Sequence, residues 1–288
     1  MPDLQPMLTL FGRLLPFPGM EQGFMQRAAV ALILLAPSAA TMGIQVVTFR
    51  MAFFSDAIGH SVFLGIALGL WLAIDPRLSM LLLGFVVAVG VTAYLRRSSL
   101  SSDAVIGVVF SAVMAAGLAL MSRYRSMGSE IQRYVYGDVL TVTNEDLWLL
   151  LGMFVAVAVY QVLYYNRSMA VGVSTAVAQV HGVRVDVLQH TFAVLVALVV
   201  MLSVRTVGVF LVTAMLIVPA SAARNFARSA GGMFWCAQLV SLSSALGGLY
   251  LSTLPEVGTA TGATVVLAAF AWFVLSTIVA RLRGRAYR

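Results

Sequence analysis

The chain has 288 residues, of which 61% are hydrophobic and only 10% are charged. Soluble domains carry about 25% charged residues, so this composition excludes a soluble globular protein. The apolar segments are far longer than a transmembrane β-strand and lack strict alternation, which excludes an outer-membrane barrel. We therefore expect an all-α, polytopic integral membrane protein folded as a helical bundle.

The net charge of +7 comes with an unusual choice of basic residue, because all 18 basic residues are arginine. Arginines that are scattered singly or in pairs set topology and contact lipid headgroups, and they do not indicate nucleic-acid binding. A Walker A loop needs a lysine after its glycine-rich turn, so this chain cannot carry one and any ATPase that drives it must be another polypeptide. The single cysteine, Cys236, excludes an internal disulfide and a thiolate metal site.

Three parts of the chain are distinguished by composition. Residues 1–26 are predicted to be an amphipathic N-terminal segment rather than a signal peptide, because an early basic region is missing. Residues 27–281 form a transmembrane domain, and 282–288 form a basic tail that we place in the cytoplasm. Each apolar run of the domain has roughly 18–24 residues, enough to cross a ~30 Å hydrocarbon core. We expect eight or nine spans from the runs at 28–49, 51–72, 78–95, 104–122, 147–165, 187–204, 206–223, 232–253 and 259–280.

Arginine placement predicts which loops share a side of the membrane. Counting back from the basic tail puts the loops 224–231, 166–186 and 96–103 inside, since each carries arginines. The loop 254–258, which has no arginine, is outside, and 123–146 is outside despite its three arginines. The same count places the N-terminus outside.

An aspartate and a histidine, Asp56 and His60, lie four residues apart at the start of the second run. Side chains at i and i+4 share one face of a helix, so the two point the same way. A carboxylate in hydrocarbon costs roughly 2.5–3.5 kcal/mol, which makes an intramembrane acid a functional candidate. Carboxylate and imidazole also suit a divalent transition metal. The alternative is a structural polar pair in which Asp56 bonds to Arg50.

Two further features concern helix breaks and loops. Pro219 lies inside an apolar run, where it is expected either to break the helix and line a path or only to kink it. The loop after the fifth run contains a short helix-forming stretch that stops at Gly182. A short amphipathic helix there suits docking to a separate ATPase, although an ordinary loop helix is the alternative.

Five motifs in this order are similar to the membrane permeases of bacterial ABC importers for zinc, manganese and iron, the ZnuB/MntB-like group. The motifs are FRMAFFSDAIGH at 49–60, SDAVIGVVFS at 102–111, YGDVLTVT at 136–143, VHGV at 180–183 and VGVFLVTAMLIVPA at 207–220. The resemblance extends from about residue 24 to residue 280.

The resemblance implies a permease of the type II-like ABC importer fold in the bacterial plasma (inner) membrane. The family's metal-contacting aspartate and histidine match Asp56 and His60, and the transported ion is then Zn²⁺ or Mn²⁺, with Fe²⁺ as a further candidate and no permanently bound cofactor. The implied partners are two cytoplasmic ATPase subunits, an extracytoplasmic metal-binding protein, the lipid bilayer and a second permease copy, identical or not. The ATPase-docking residues are expected to be Ala178, His181, Gly182 and Val183, and the pathway or gating residues Pro219 and Asp103. Many members carry an acidic residue before the docking helix, where this chain has Ser174 and Thr175.

Two other functions are consistent with the residues alone. A proton- or ion-coupled secondary carrier would use Asp56 and His60 as a proton relay and would need no ATPase. A permease of the related cobalamin or siderophore type would have a wide cavity and would tolerate replacement of His60.

Overall fold

The structure is a computed structural model, and it describes residues 19–122 and 137–283. In these ranges nine helices are long and apolar enough to cross a membrane, and each coincides with one predicted run, in agreement with nine spans. The elements are α1 (Gly23–Thr48), α2 (Phe54–Trp71), α3 (Pro76–Leu95), α4 (Ser102–Met121), a 3-10 turn (Val139–Thr141), α5 (Asn144–Val173), the short α6 (Thr175–Val180), α7 (Val185–Val207), α8 (Val209–Phe226), α9 (Ala230–Ser252) and α10 (Thr261–Leu282). Most of the predicted N-terminal segment, residues 123–136 of the predicted outer loop and residues 284–288 of the basic tail lie outside the described residues.

Local sequence determines where several helices begin. Helix α3 has Pro76 as its first residue, and the Asp75 carboxylate accepts the Arg77 N–H at 2.8 Å. Helix α5 starts with a capping box, in which Thr143 and Asp146 bond to each other's backbone N–H. Helices α7 and α8 are separated by Gly208 alone, whose φ of +82° is a conformation that favours glycine.

The bundle contains two groups of three helices, and α1, α5 and α7 pack across these groups. Helices α2, α3 and α4 pack together, as do α8, α9 and α10. Helix α1 precedes the first group in the chain but packs against α8 and α9 of the second group. Helix α7 precedes the second group but packs against α3 and α2 of the first group. Helix α5 contacts both α1 and α7. Helices α1 and α7 run in opposite directions, because the start of α1 and the end of α7 line the same cavity. This arrangement is typical of transporters that are built from inverted repeats.

Helices α1 and α8 cross very closely at Gly43. A side chain at this position would overlap the backbone carbonyl of Leu216 on α8, so only hydrogen fits there. Small residues at such crossings allow backbones to approach within the membrane, where van der Waals contact holds helices together. The packing of α1 against the second group therefore depends on Gly43.

Each end of the bundle contains a cavity. One cavity, of about 610 Å³, is lined by the start of α1, the 3-10 turn, the end of α7 and the loop before α10. The other, of about 370 Å³, is lined by the end of α1, the end of α3, the start of α4 and the residues around Ser174. The loops 96–103 and 166–186, which arginine counting places on the same side of the membrane, thus lie at the same end of the bundle. We call the first the outer cavity and the second the inner cavity, following that count.

Candidate intramembrane metal site

Asp56 and His60 lie one turn apart on the single accessible stripe of α2. From residue 54 to residue 69, only Asp56, His60, Leu64 and Leu68 are partly exposed, and every other residue is buried. The period of four places these side chains in one row along the helix, as the sequence predicts. The two polar groups therefore lie on a partly exposed stripe of α2 rather than in the fully buried core.

The start of α2 is held by aromatic packing beneath the site. Phe54 is fully buried, and its ring stacks on Phe192 of α7 with 6.4 Å between centroids. Phe49, at the end of α1, contacts the edge of the same ring at 5.0 Å. Arg50 makes the reversal between α1 and α2 with a φ of +56°. These contacts determine where the first turn of α2, and hence Asp56, is placed.

The Asp56 carboxylate has no ion-pair partner in the described part of the chain. The ion pairs found there join Arg96 to Asp186 and Arg205 to Asp146, the latter at 3.6 Å. The structural alternative in which Arg50 neutralises Asp56 is therefore not what the structure shows. The first turn of a helix stabilises a negative charge through the helix dipole, which offsets part of the cost of desolvation.

The ring of His60 is oriented by three contacts. Its Nδ1 lies 2.9 Å from the backbone carbonyl oxygen of Asp56. Because a carbonyl only accepts, Nδ1 carries the proton and the lone pair is on Nε2, the atom available to a metal. Phe63 and Phe110 pack edge-on against the ring at 5.7 Å and 5.2 Å between centroids. His60 is thus held in one tautomer with a free metal-binding nitrogen.

Helix α8 packs against α2 beside the site, at Thr213, which sequence analysis did not identify. The Thr213 hydroxyl donates to the backbone carbonyl of Phe210, one turn earlier in α8, at 3.3 Å. Gly59 faces this part of α8, since a methyl group there would lie 3.0 Å from Val209 Cγ1 and 3.6 Å from Thr213 Cγ2. Thr213 lies within the 207–220 motif, but spacing along one helix gives no information about a contact between two helices.

One carboxylate and one imidazole nitrogen make an incomplete coordination sphere for a divalent cation. Within the described ranges no group of three or more His, Cys, Asp and Glu side chains is close enough to hold a metal. The arrangement is therefore a half-site, suited to brief binding rather than permanent retention.

The two predicted pathway residues lie apart from Asp56. Pro219 is buried inside α8, which continues without interruption from Val209 to Phe226, so the proline does not break the helix. Asp103 is exposed in the first turn of α4, next to Ser102, which lines the inner cavity. The structure thus brings together Asp56 and His60, and it leaves Asp103 at the inner end.

The predicted docking residues form the end of a short helix at the inner end of the bundle. Ser174 caps α6 by accepting the Val177 N–H at 3.4 Å, and Gly182 ends it with a φ of +76°. Ala178 is buried against the neighbouring helices, while His181 is exposed. The outward surface of this segment is mixed: Val173, Val177 and Val180 are exposed, and so are the polar residues Thr175, Gln179 and Arg184.

Comparison with known proteins decides the family. The model of the ABC 3 transport family matches residues 21–280. The chain belongs to this family. It is accordingly a multi-pass transport subunit of the bacterial inner membrane and an ABC transporter permease.

Individual relatives agree in fold and length. The chain is 31% identical to the high-affinity zinc uptake system membrane protein ZnuB of Haemophilus influenzae, over 85% of this chain and 93% of that one. It is 28% identical to the manganese transport system membrane protein MntC of Halalkalibacterium halodurans, over 92% and 90%. Among solved structures, PsaBC from Streptococcus pneumoniae, in complex with a Fab, superposes with a TM-score of 0.76 and 25% identity, covering 90% of this chain and 92% of that one. The names of these relatives concern zinc and manganese, and they give no support to iron or to the alternative functions.

Proposed function

We propose that this permease imports zinc or manganese and that Asp56 and His60 bind the ion transiently during its passage. The observation that carries the proposal is the pairing of an unneutralised carboxylate with a free imidazole nitrogen on the accessible stripe of α2. The names of the relatives, which are zinc and manganese systems, support the same class of ion.

The chemistry of the site suits a divalent cation. Desolvation makes an unpaired carboxylate in the bilayer costly, and an arriving cation relieves this cost. Zinc accepts a mixed nitrogen and oxygen set, and manganese accepts it when waters or carbonyl oxygens complete the sphere. Few protein ligands give weak binding, which permits release.

A second permease copy would complete the site. The accessible stripe of α2 lies beside a second stripe on α8, formed by Phe210, Ala214, Ile217, Val218 and Ser221. Two such faces related by a two-fold axis would enclose a path and bring two carboxylates and two imidazoles together. Four ligands of this kind match the usual coordination number of zinc. An identical or a closely related copy would serve equally.

The energy source would be a pair of ATPase subunits at the inner end. The valines Val173, Val177 and Val180 are exposed among polar residues where the arginine count places the cytoplasm, and exposed apolar side chains that lie together are typical of a protein contact. An extracytoplasmic metal-binding protein would deliver the ion at the outer cavity. Nucleotide binding would then favour one access state over the other by differential affinity.

The proposal is tested by uptake of radiolabelled zinc and manganese into cells that carry the complete system. Asp56→Ala and His60→Ala are compared with the wild type at equal membrane abundance. We expect each to lower uptake at least roughly tenfold, as loss of a metal contact does. The matched control is His190→Ala, because His190 bonds its own i−4 carbonyl in the same way, at 2.8 Å, outside the site.

Two outcomes would contradict the proposal. Normal uptake by both site variants would make Asp56 and His60 structural. Uptake that continues after inactivation of the ATPase subunits would instead indicate a secondary carrier.

A further inference from the structure

We infer that the inner cavity is an anion site built around Arg50, and that it receives a carboxylate side chain of the ATPase subunit. This inference rests on the proposed function, which places the ATPase subunits at the inner end. The cavity has a volume of about 370 Å³. Ligand pockets have roughly 300–1,000 Å³, so this volume is suited to a side chain or a small ion.

Helix α1 ends in a Schellman motif that has an arginine where glycine is usual. The Arg50 N–H donates to the Val47 carbonyl at 3.2 Å, and the Met51 N–H donates to the Val46 carbonyl at 3.0 Å. This pair of bonds places one residue in the left-handed conformation, and that residue is most often glycine. Here it is Arg50, with a φ of +56°.

The choice of arginine at this turn indicates a use for its side chain. A residue with a Cβ atom is less stable than glycine in the left-handed conformation, and backbone outliers of this kind cluster at functional sites. Arg50 is exposed, and its side chain forms no ion pair or hydrogen bond with other residues in 19–122 and 137–283. The guanidinium is therefore available to a group from outside the chain.

The other walls of the inner cavity suit an anion as well. Among the described residues that line it, Arg50 is the one charged side chain. Ser102, Thr175 and Gln189 add hydroxyl and amide donors, and none of these donates a side-chain hydrogen bond to another described residue. Asp103, which follows Ser102, is exposed and is not part of the lining. Arginine binds a carboxylate through two parallel hydrogen bonds, and the neighbouring donors can satisfy the remaining lone pairs.

The position of the cavity identifies the source of the carboxylate. Val173, one of the exposed valines of the proposed ATPase contact, also lines the cavity, as does Ser174, which caps α6. A subunit that covers these valines therefore also covers the opening of the cavity. An acidic side chain on that subunit enters beside α6 and pairs with Arg50. The contact then joins the ATPase to the end of α1 as well as to α6.

The test measures the dissociation constant of the purified ATPase subunits for the permease in lipid nanodiscs, together with thermal unfolding of the permease alone. Arg50→Gly is the decisive variant, because glycine suits the left-handed turn and the change removes the guanidinium. We expect it to unfold at the same temperature as the wild type or higher, and to bind the ATPase at least roughly tenfold more weakly. Arg50→Lys keeps the charge but loses the planar fork, so its affinity is expected to lie between the two.

The control is Arg97→Gln, because Arg97 is exposed at the inner end and does not line the cavity. This variant is expected to bind the ATPase as the wild type does. Equal weakening in Arg97→Gln and Arg50→Gly would overturn the inference, since the general positive charge of the inner end would then explain the effect. Equal affinity of Arg50→Gly and the wild type would also overturn it.

Two further measurements separate the carboxylate from other anions. In nanodiscs of neutral phosphatidylcholine, the effect of Arg50→Gly is expected to persist, and its disappearance would assign the site to an anionic lipid headgroup instead. If ATPase binding does not depend on Arg50 while inorganic phosphate raises the unfolding temperature of the wild type alone, the site binds a free anion and the inference fails.

Failure of this inference is distinguishable from failure of the proposed function. If uptake depends on Asp56 and His60 while Arg50→Gly binds the ATPase normally, the proposed function stands without this anion site. If the ATPase subunits bind no form of the permease, the proposed energy source itself fails.

Discussion

The protein contains the same pair of residues at the same spacing in two places, and the comparison separates spacing from environment. Asp56 and His60 are four residues apart on α2, and Asp186 and His190 are four residues apart on α7. In both pairs the histidine Nδ1 is bonded to the backbone carbonyl of the aspartate, at 2.9 Å and 2.8 Å. By local geometry alone the two pairs are equivalent.

Their surroundings differ in every respect that affects metal binding. The Asp186 side chain is 58% exposed and forms an ion pair with Arg96 at the inner end of the bundle. Asp56 has no such partner in the described residues, and aromatic rings flank His60. A solvated, neutralised carboxylate gains little from a cation, whereas a desolvated and unneutralised one gains much. The environment, and not the spacing, therefore identifies the candidate site.

The largest expected effect comes from giving Asp56 an internal cation. His60→Arg places a guanidinium one turn from the carboxylate, where the two can pair on one helix face. We expect uptake of both metals to be lost while membrane abundance is kept. His190→Arg serves as the control and is expected to transport normally. Substantial uptake by His60→Arg would contradict the need for an unneutralised carboxylate.

A large loss of stability is expected when the support beneath the site is removed. Phe54→Ala leaves a cavity against Phe192 and is expected to cost about 3–5 kcal/mol of unfolding free energy. Phe53→Ala is the neighbouring control, because the Phe53 side chain is 58% exposed. Thermal unfolding of the purified permease in detergent measures the difference. Equal melting temperatures for the two variants would show that the aromatic contact does not hold the start of α2.

A smaller effect is expected from separating α2 and α8. Gly59→Ala inserts a methyl group against Val209, and overpacking of this kind costs about 1–3 kcal/mol. Thermal unfolding of the purified permease in detergent measures this loss of stability. The control is Gly90→Ala on α3, since nothing lies within 4 Å of a methyl group there. Identical behaviour of the two variants would argue against close contact at this level.

The smallest effect is expected at the second pair. Asp186→Asn removes the ion pair with Arg96, and exposed pairs contribute about 0–1 kcal/mol. We expect uptake of both metals to remain near that of the wild type, which the same transport assay measures. A severe loss of uptake would show that the inner end needs this pair for transport.

The sequence predicted the helices well because hydrocarbon requires long apolar runs, and each of the nine predicted runs is a helix in the described part of the chain. It also predicted that Asp56 and His60 share a face, since that follows from helix geometry. The contact between Thr213 of α8 and Gly59 of α2 was not predicted, because it depends on where α8 lies after it has packed against α1. The sequence also could not show that Arg50 does not pair with Asp56, because this depends on the three-dimensional course of the chain reversal at the end of α1.

The central claim, that a metal ion binds His60 within the membrane, is tested most directly by pulsed electron paramagnetic resonance of Mn²⁺ bound to the purified transporter. Coupling of the electron spin to a histidine nitrogen reports a direct bond between the ion and an imidazole. The account predicts this coupling in the wild type and in His190→Ala, and its loss in His60→Ala. Coupling that persists in His60→Ala, or that disappears in His190→Ala, would contradict it.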